Sequence, residues 1–212
     1  MTMSKVSYVA FDLETGGINP KRNPILTGYF LLLDDNLEPV ADLSLKVRPE
    51  SPFDIVEPEA LAVSGINLEE HLKDPNTVSR DEASKKLKDF ISAHKEKKNQ
   101  RIKIVGYNIN FDIKMVIEQL MPQEEWEALT HYTNIDVLQT VNFFKFSEIF
   151  PDRIGKLSTV VEHLGLPLLK AHDAEFDVKM TVEVLKKLKA MVKEKMRSSS
   201  MGIEDILKII ER

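Results

Sequence analysis

Four carboxylates and one histidine stand in three short motifs of this chain, and their types and spacing suit an oxygen-ligated divalent cation worked by a histidine base. The first motif is Asp12-Leu13-Glu14, which ends the apolar run of residues 6–11. That run is rich in β-branched and aromatic residues and reads as a buried strand. Side chains two apart on a strand share a face, so Asp12 and Glu14 present two carboxylates together. Two like charges so placed repel, and one tends to hold a proton. A divalent cation reverses that preference and keeps both ionised. Carboxylate donors in a chain with no cysteine suit Mg²⁺ or Mn²⁺ rather than zinc. Taken alone, Asp-x-Glu reads equally well as a solvated acidic pair at a strand end.

The second motif, Asn108-Ile109-Asn110-Phe111-Asp112, follows a short apolar strand at 102–105 and Gly106, which permits a tight backbone exit. A helix is predicted from Phe111 to about Leu120, with Ile113, Val116, Ile117 and Leu120 at helical spacing. Asp112 falls in its first turn, where the helix dipole favours a carboxylate; a plain N-terminal acid is the simpler reading of that residue by itself. Phe111 reads as core or as a platform for a nucleobase. The third motif, His172-Asp173-Ala174-Glu175-Phe176-Asp177, opens a long helix in which Phe176, Met180, Val184 and Leu188 recur every four residues. Asp173 is its expected N-cap and Asp177 lies one turn in. His172 precedes the cap, and an imidazole there titrates near neutrality, as a general base must. The other histidines (His71, His94, His131, His163) have no such acids around them and read as structural.

Together these motifs resemble the three Exo motifs of the DnaQ-like 3′→5′ exonucleases of the DEDDh class. The matching stretches are Phe11-Asp12-Leu13-Glu14-Thr15-Gly16-Gly17, Gly106-Tyr107-Asn108-Ile109-Asn110-Phe111-Asp112, and Ala171-His172-Asp173-Ala174-Glu175-Phe176-Asp177. The histidine, rather than a tyrosine, places the resemblance in this class. The segment Pro58 through Ile66 and the short helix from Lys156 toward Pro167 are similar to family segments as well, so the likeness covers about residues 5–190. Within the family, Glu14-Thr15-Gly16-Gly17-Ile18-Asn19-Pro20 is most similar to the catalytic part of bacterial exonuclease I, and the proofreading exonuclease subunits are also alike. Gly16 stands where a bulkier residue is usual and Ser64 where a histidine is frequent.

The resemblance implies an RNase H-like α/β fold, a central mixed sheet flanked by helices, and two-metal phosphodiester hydrolysis with Mg²⁺, for which Mn²⁺ substitutes. Asp12, Glu14 and Asp177 would hold the cation that activates water, with Asp12 bridging to a second and Asp112 assisting. His172 would take the water's proton. Leu13, Thr15, Asn108 and Phe111 would contact the terminal nucleotide. Implied substrates are 3′ ends of single-stranded DNA, released as nucleoside 5′-monophosphates in proofreading or DNA repair. RNA trimming or oligoribonucleotide degradation on the same fold is the alternative, decided by the sugar contact. An inactive binding module is the reading from another class, and retention of all five catalytic positions speaks against it.

The elements that must position these residues are read from pattern. Apolar runs at 6–11, 25–33 and 43–47 suggest a meander, with Asp34-Asp35-Asn36 as a turn. A loop with Pro49, Pro52 and Pro58 leads into a helix, 74–79 reads as a loop, and 81–94 as a helix with Ala83, Leu87, Phe90 and Ile91 inward. Residues 123–150 read as mainly helical, with a short extended stretch at 135–137. Asp136 resembles a structural family position. A helix from Lys156 is closed by Gly165 and Pro167. At 212 residues one catalytic domain is expected, over 1–195, followed by a segment 196–212. That segment follows a basic helix end running from Lys186 to Arg197, and it combines a Ser198-Ser199-Ser200 break with an amphipathic stretch at 203–210. It would dock on its own domain or on a DNA polymerase or another replication or repair protein.

Composition sets bounds. With no cysteine there is no disulfide framework and no thiolate metal site. No secretory leader pattern and no membrane-length apolar run are present in the sequence, so a cytoplasmic protein without membrane partners is the expectation. The net charge of −5 does not decide against a nucleic-acid substrate, since an exonuclease grips only a few terminal nucleotides, but binding without cation should be weak and processivity limited.

Overall fold

The computed structural model describes residues 5–167 and 173–198. Strand β1 (Tyr8–Thr15) lies inside a six-stranded sheet with β2 (Ile25–Leu33), β3 (Pro39–Val47), β4 (Thr77–Val78), β5 (Ile102–Gly106) and β6 (Thr130–Asp136). The strand order is β4-β3-β2-β1-β5-β6. The pairs β1–β2 and β2–β3 are antiparallel, as a meander requires, whereas β1–β5, β5–β6 and β3–β4 are parallel. The expected central mixed sheet is therefore present. Asp34 fixes the β2–β3 turn: its Oδ1 accepts the N–H groups of Asn36 (2.8 Å) and Glu38 (2.9 Å). Pro39 opens β3, a strand position where its missing N–H is tolerated.

The sheet is buried on both faces by helices. Val9, Phe11 and Leu13 of β1 point to one face, with Phe30 and Leu32. Packed there are α3 (Arg80–Ala93), α4 (Asn110–Gln119) and α5 (Gln123–Leu129), through Leu87, Ile91, Val116 and Trp126. Phe11 stacks on Phe30 at 5.1 Å and meets Trp126 edge-on at 5.6 Å. Ala10, Tyr29, Leu31 and Leu33 point the other way. Covering them are α6 (Val137–Phe146), α7 (Leu157–His163) and α8 (Ala174–Ser198), through Val141, Val160, Val178 and Val184. Two short helices, α1 (Pro58–Ser64) and α2 (Leu68–Lys73), bridge β3 to β4. Ser79 caps α3 by accepting the Glu82 N–H, and Gly165 closes α7 at φ 65°, a left-handed conformation that favours glycine.

Three expectations are corrected. β1 extends through Thr15, so Asp12 and Glu14 lie within the strand rather than just beyond it. The loop at 74–79 contains β4, only two residues long and held by pairing with β3 rather than by any pattern of its own. Residues 123–150 are mainly helical, but the extended stretch is the full strand β6 over 130–136 rather than a short piece at 135–137, and it separates α5 from α6. Its sequence Thr130-His131-Tyr132-Thr133 has β-branched and aromatic character, but as an edge strand it buries little, and the alternation that marks a strand is weak. The other four histidines sit in structural places. His71 is buried against the Val47 carbonyl, the His94 ring meets the Phe90 carbonyl, His131 meets Thr133, and His163 lies edge-on to Phe150.

Candidate active site

Strand alternation puts Asp12 and Glu14 on the α8 face of the sheet, beyond the point where Ala10 is covered by core. The first turn of α8 supplies the third group. Asp173 caps that helix, its carboxylate accepting the Glu175 N–H at 3.0 Å, and the Asp177 N–H donates to the Asp173 carbonyl at 2.9 Å. Asp12, Glu14 and Asp177 each bring a carboxylate oxygen within 4.8 Å of the others. Three hard oxygen donors at this spacing fit one small divalent cation. The fourth acid, Asp112, is buried in the first turn of α4, where its Oδ1 accepts the Leu13 N–H at 3.2 Å. The second motif is thereby tied to the backbone between the two acids of the first.

The electrostatics of the protein alone are those of a site built for positive charge. Burial pushes the Asp112 carboxyl up to about 8; hydrogen bonds from its own amide and that of Leu13 oppose the rise, and the Glu14 and Asp136 charges add to it. Asp12 is raised well above the usual carboxylate range, first by burial and then by Asp112, Glu14 and Asp177. Acids this close and this dry do not all ionise by themselves, and a bound cation removes the conflict.

Local structure explains how the motifs hold their shape. A Cβ at Gly106 would lie 2.3 Å from the Ile109 side chain, so the turn out of β5 is closed tightly over that residue. Asn108 is exposed and left-handed at φ 57°, a conformation asparagine tolerates better than most residues. Its N–H donates to Asp136 Oδ1 at 3.0 Å, and the same oxygen accepts the Leu138 N–H at 3.0 Å to cap α6. The Tyr107 hydroxyl donates to the Gly155 carbonyl at 2.6 Å, and burial pushes that phenol up to about 12. Asp136 thus holds the loop that delivers Asp112. Asp136→Ala is expected to cost roughly 1–3 kcal/mol, since two backbone donors lose their acceptor. Asp136→Asn, which keeps an acceptor oxygen, should lose less, and urea unfolding of both variants tests the difference.

Asn23 is a residue the sequence did not single out. It is 1 % exposed. Its amide donates to the Ile55 carbonyl (2.7 Å), the Glu57 carboxylate (3.1 Å) and the Gly16 carbonyl (3.3 Å), while its Oδ1 accepts the Asn19 N–H (2.7 Å). One side chain therefore pins the loop after motif one to residues 55–57. The available signal was an asparagine enclosed between Pro20 and Pro24 in a loop touching the first motif. The same packing accounts for Gly16: a Cβ there would lie 2.9 Å from Pro24 and 3.2 Å from the backbone of Ile55 and Val56, so a bulkier residue has no room.

Of the expected nucleotide contacts, the Leu13 side chain is in the core and its N–H is engaged by Asp112. The Thr15 hydroxyl donates to the Gly17 carbonyl at 2.7 Å. Phe111 is partly buried against the core. A groove of about 300 Å³ opens beside Glu14, lined among others by Thr27, Tyr29, Ser44, Lys46 and Ser64. His172 lies outside the described residues, directly before the cap of α8.

The family model RNase_T, described as exonuclease, matches residues 9–185. A DNA polymerase III of PolC type from Clostridium perfringens is 28% identical over 192 residues, covering 89% of this chain and 12% of the polymerase. The zinc-bound complex of E. coli ExoI with ssDNA superposes with a TM-score of 0.71 at 17% identity, over 89% of this chain and 41% of that one. Exonuclease I from Methylocaldum szegediense gives 0.69 at 20% identity, over 87% and 40%. The chain spans about one eighth of the polymerase and two fifths of these exonuclease I chains. The likeness to the solved structures shows a shared RNase H-like fold. Among the described residues, no helix is long and apolar enough to cross a membrane.

Proposed function

Because the chain belongs to the DnaQ-like 3′→5′ exonuclease family, we propose that it shortens single-stranded DNA from the 3′ end and releases nucleoside 5′-monophosphates. The observation that carries this reading is the convergence of Asp12, Glu14 and Asp177, with Asp112 buried behind Leu13. Asp12, Glu14 and Asp177 are the residues that would hold Mg²⁺, and Asp12 with Asp112 would share a second ion. Such cations supply a more acidic water and offset the charge that develops on the phosphate. His172 accepts a proton from the attacking water. The water oxygen forms a bond to the terminal phosphorus, the bond from phosphorus to the 3′-oxygen of the preceding nucleotide breaks, and that oxygen is protonated from solvent. The groove beside Glu14 is lined by the hydroxyl-bearing residues Thr27, Ser44 and Ser64 and by Lys46, whose ammonium pairs with Asp74. Single-stranded DNA is favoured as substrate because the superposing ExoI holds ssDNA. A polymerase or other replication protein is the natural partner class, as the PolC-type relative joins such a segment to a polymerase.

The test is a digestion ladder. 5′-end-labelled single-stranded DNA and RNA of the same sequence are incubated with Mg²⁺ and the wild-type protein, beside an Asp12→Asn control. Stepwise shortening of the DNA, absent in the control, is expected. Shortening of the RNA alone overturns the substrate assignment, and no shortening of either overturns the nuclease reading.

A further inference from the structure

An apolar groove of about 340 Å³ runs between α6 and α8, far from the acids. Its walls are Phe144 of α6, Ile135 of β6, and Leu185, Leu188 and Val192 of α8, and its rim carries Lys189 and Lys193. Phe144, Leu185 and Leu188 are buried residues of the core on this face, so the groove lies directly against the edge of that core. Val192 is 45% exposed at its edge. From Asp177 to Lys189 along α8 is about 18 Å, so whatever fills this groove leaves the acidic site clear.

We propose that the groove is filled by residues 203–210 of this same chain, packed as a short helix antiparallel to α8. Three observations support that occupant. The first is pattern: in Ile203-Glu204-Asp205-Ile206-Leu207-Lys208-Ile209-Ile210, the residues Ile203, Ile206, Leu207 and Ile210 fall on one helical stripe. A helix this short does not hold in water without a surface to bury that stripe. The second is charge: Glu204 and Glu211 flank the stripe, while the groove's rim carries Lys189 and Lys193. The third is reach. α8 is described to Ser198, and residues 199–202 (Ser-Ser-Met-Gly) make a connection within the 2–5 residues usual for two antiparallel helices. Positions equally far from that turn then face each other, which brings Ile210 to about the level of Val192 and Ile206 to about that of Lys195.

The absence of native cysteine makes a direct test available. A Val192→Cys/Ile210→Cys variant of the full chain is exposed to a mild oxidant at low micromolar concentration. An intramolecular disulfide is expected, read as a monomeric species that has lost two hydrogens in mass and resists alkylation. In the cysteine-free chain, Ile206→Asp should lower Tm by roughly 4–8 °C, because one large apolar contact is lost and an acid is pressed against the groove. Disulfide-linked dimers alone would mean that the segment seats on a second copy, and would overturn the proposal. Free thiols throughout, or an unchanged Tm for Ile206→Asp, would overturn it as well and would direct the segment to a different protein.

Discussion

Asp12→Asn is expected to abolish cation-dependent hydrolysis, by about 10³-fold or more, while making the cation-free protein more stable at pH 8. The two effects have one cause. Asp12 stands among Asp112, Glu14 and Asp177, and its carboxyl is raised by burial and by those charges. Asp112 is pushed up to about 8. Each group binds a proton more tightly folded than unfolded, so the folded chain carries more protons above the ordinary carboxylate range, and stability falls as pH rises from about 4 to about 8. Removing one acid relieves part of that fall. Melting curves in a chelator should therefore show the variant above wild type at pH 8 and the two converging near pH 4. Adding Mg²⁺ should raise the wild-type Tm most at pH 8 and move the variant little. Calorimetric titration supplies the independent check: a variant that takes up cation as the wild type does would remove Asp12 from the ligand set.

His172→Ala is expected to lower the rate by roughly 10²–10⁴-fold while cation uptake largely survives. The assignment rests on sequence and family resemblance, since His172 lies outside the described residues, but its neighbours in the chain are placed. Asp173 caps α8 and Asp177 follows one turn on, among the acids. His172 directly precedes that cap in the sequence. If it acts as base, the wild-type rate should climb with pH through the range in which an imidazole loses its proton, and the variant should lack that limb. Added imidazole should restore part of the variant's rate. Unchanged turnover in His172→Ala, or a pH profile identical to wild type, would remove the general-base role.

Much of the site was legible because its parts are locally encoded. Asp12 and Glu14 share a face because strand side chains alternate, and the β1 register against β2 keeps that alternation through Glu14. Asp173 caps α8 because a short acid before a helical apolar stripe satisfies a free N–H of the first turn. The bounds of β2 follow from a nine-residue apolar run buried on both faces. Asn23 was not legible in this way. Its importance comes from four partners spread over residues 16–57, and no local pattern marks a side chain that satisfies distant carbonyls.

By itself, then, the sequence determined the family, the identity of the acids, the face that two of them share and the helix turns that carry the others. These are consequences of short-range dihedral preference, side-chain alternation and capping. Tertiary structure alone decided that Asp177 meets Asp12 and Glu14, that Asp112 reaches the Leu13 amide, that 130–136 becomes an edge strand, and that a core-lined groove stays open between α6 and α8. Each of these depends on where the parallel crossovers from β1 to β5 and β6 set the helices against the sheet. That placement is fixed by packing between residues far apart in the chain, which local periodicity does not record.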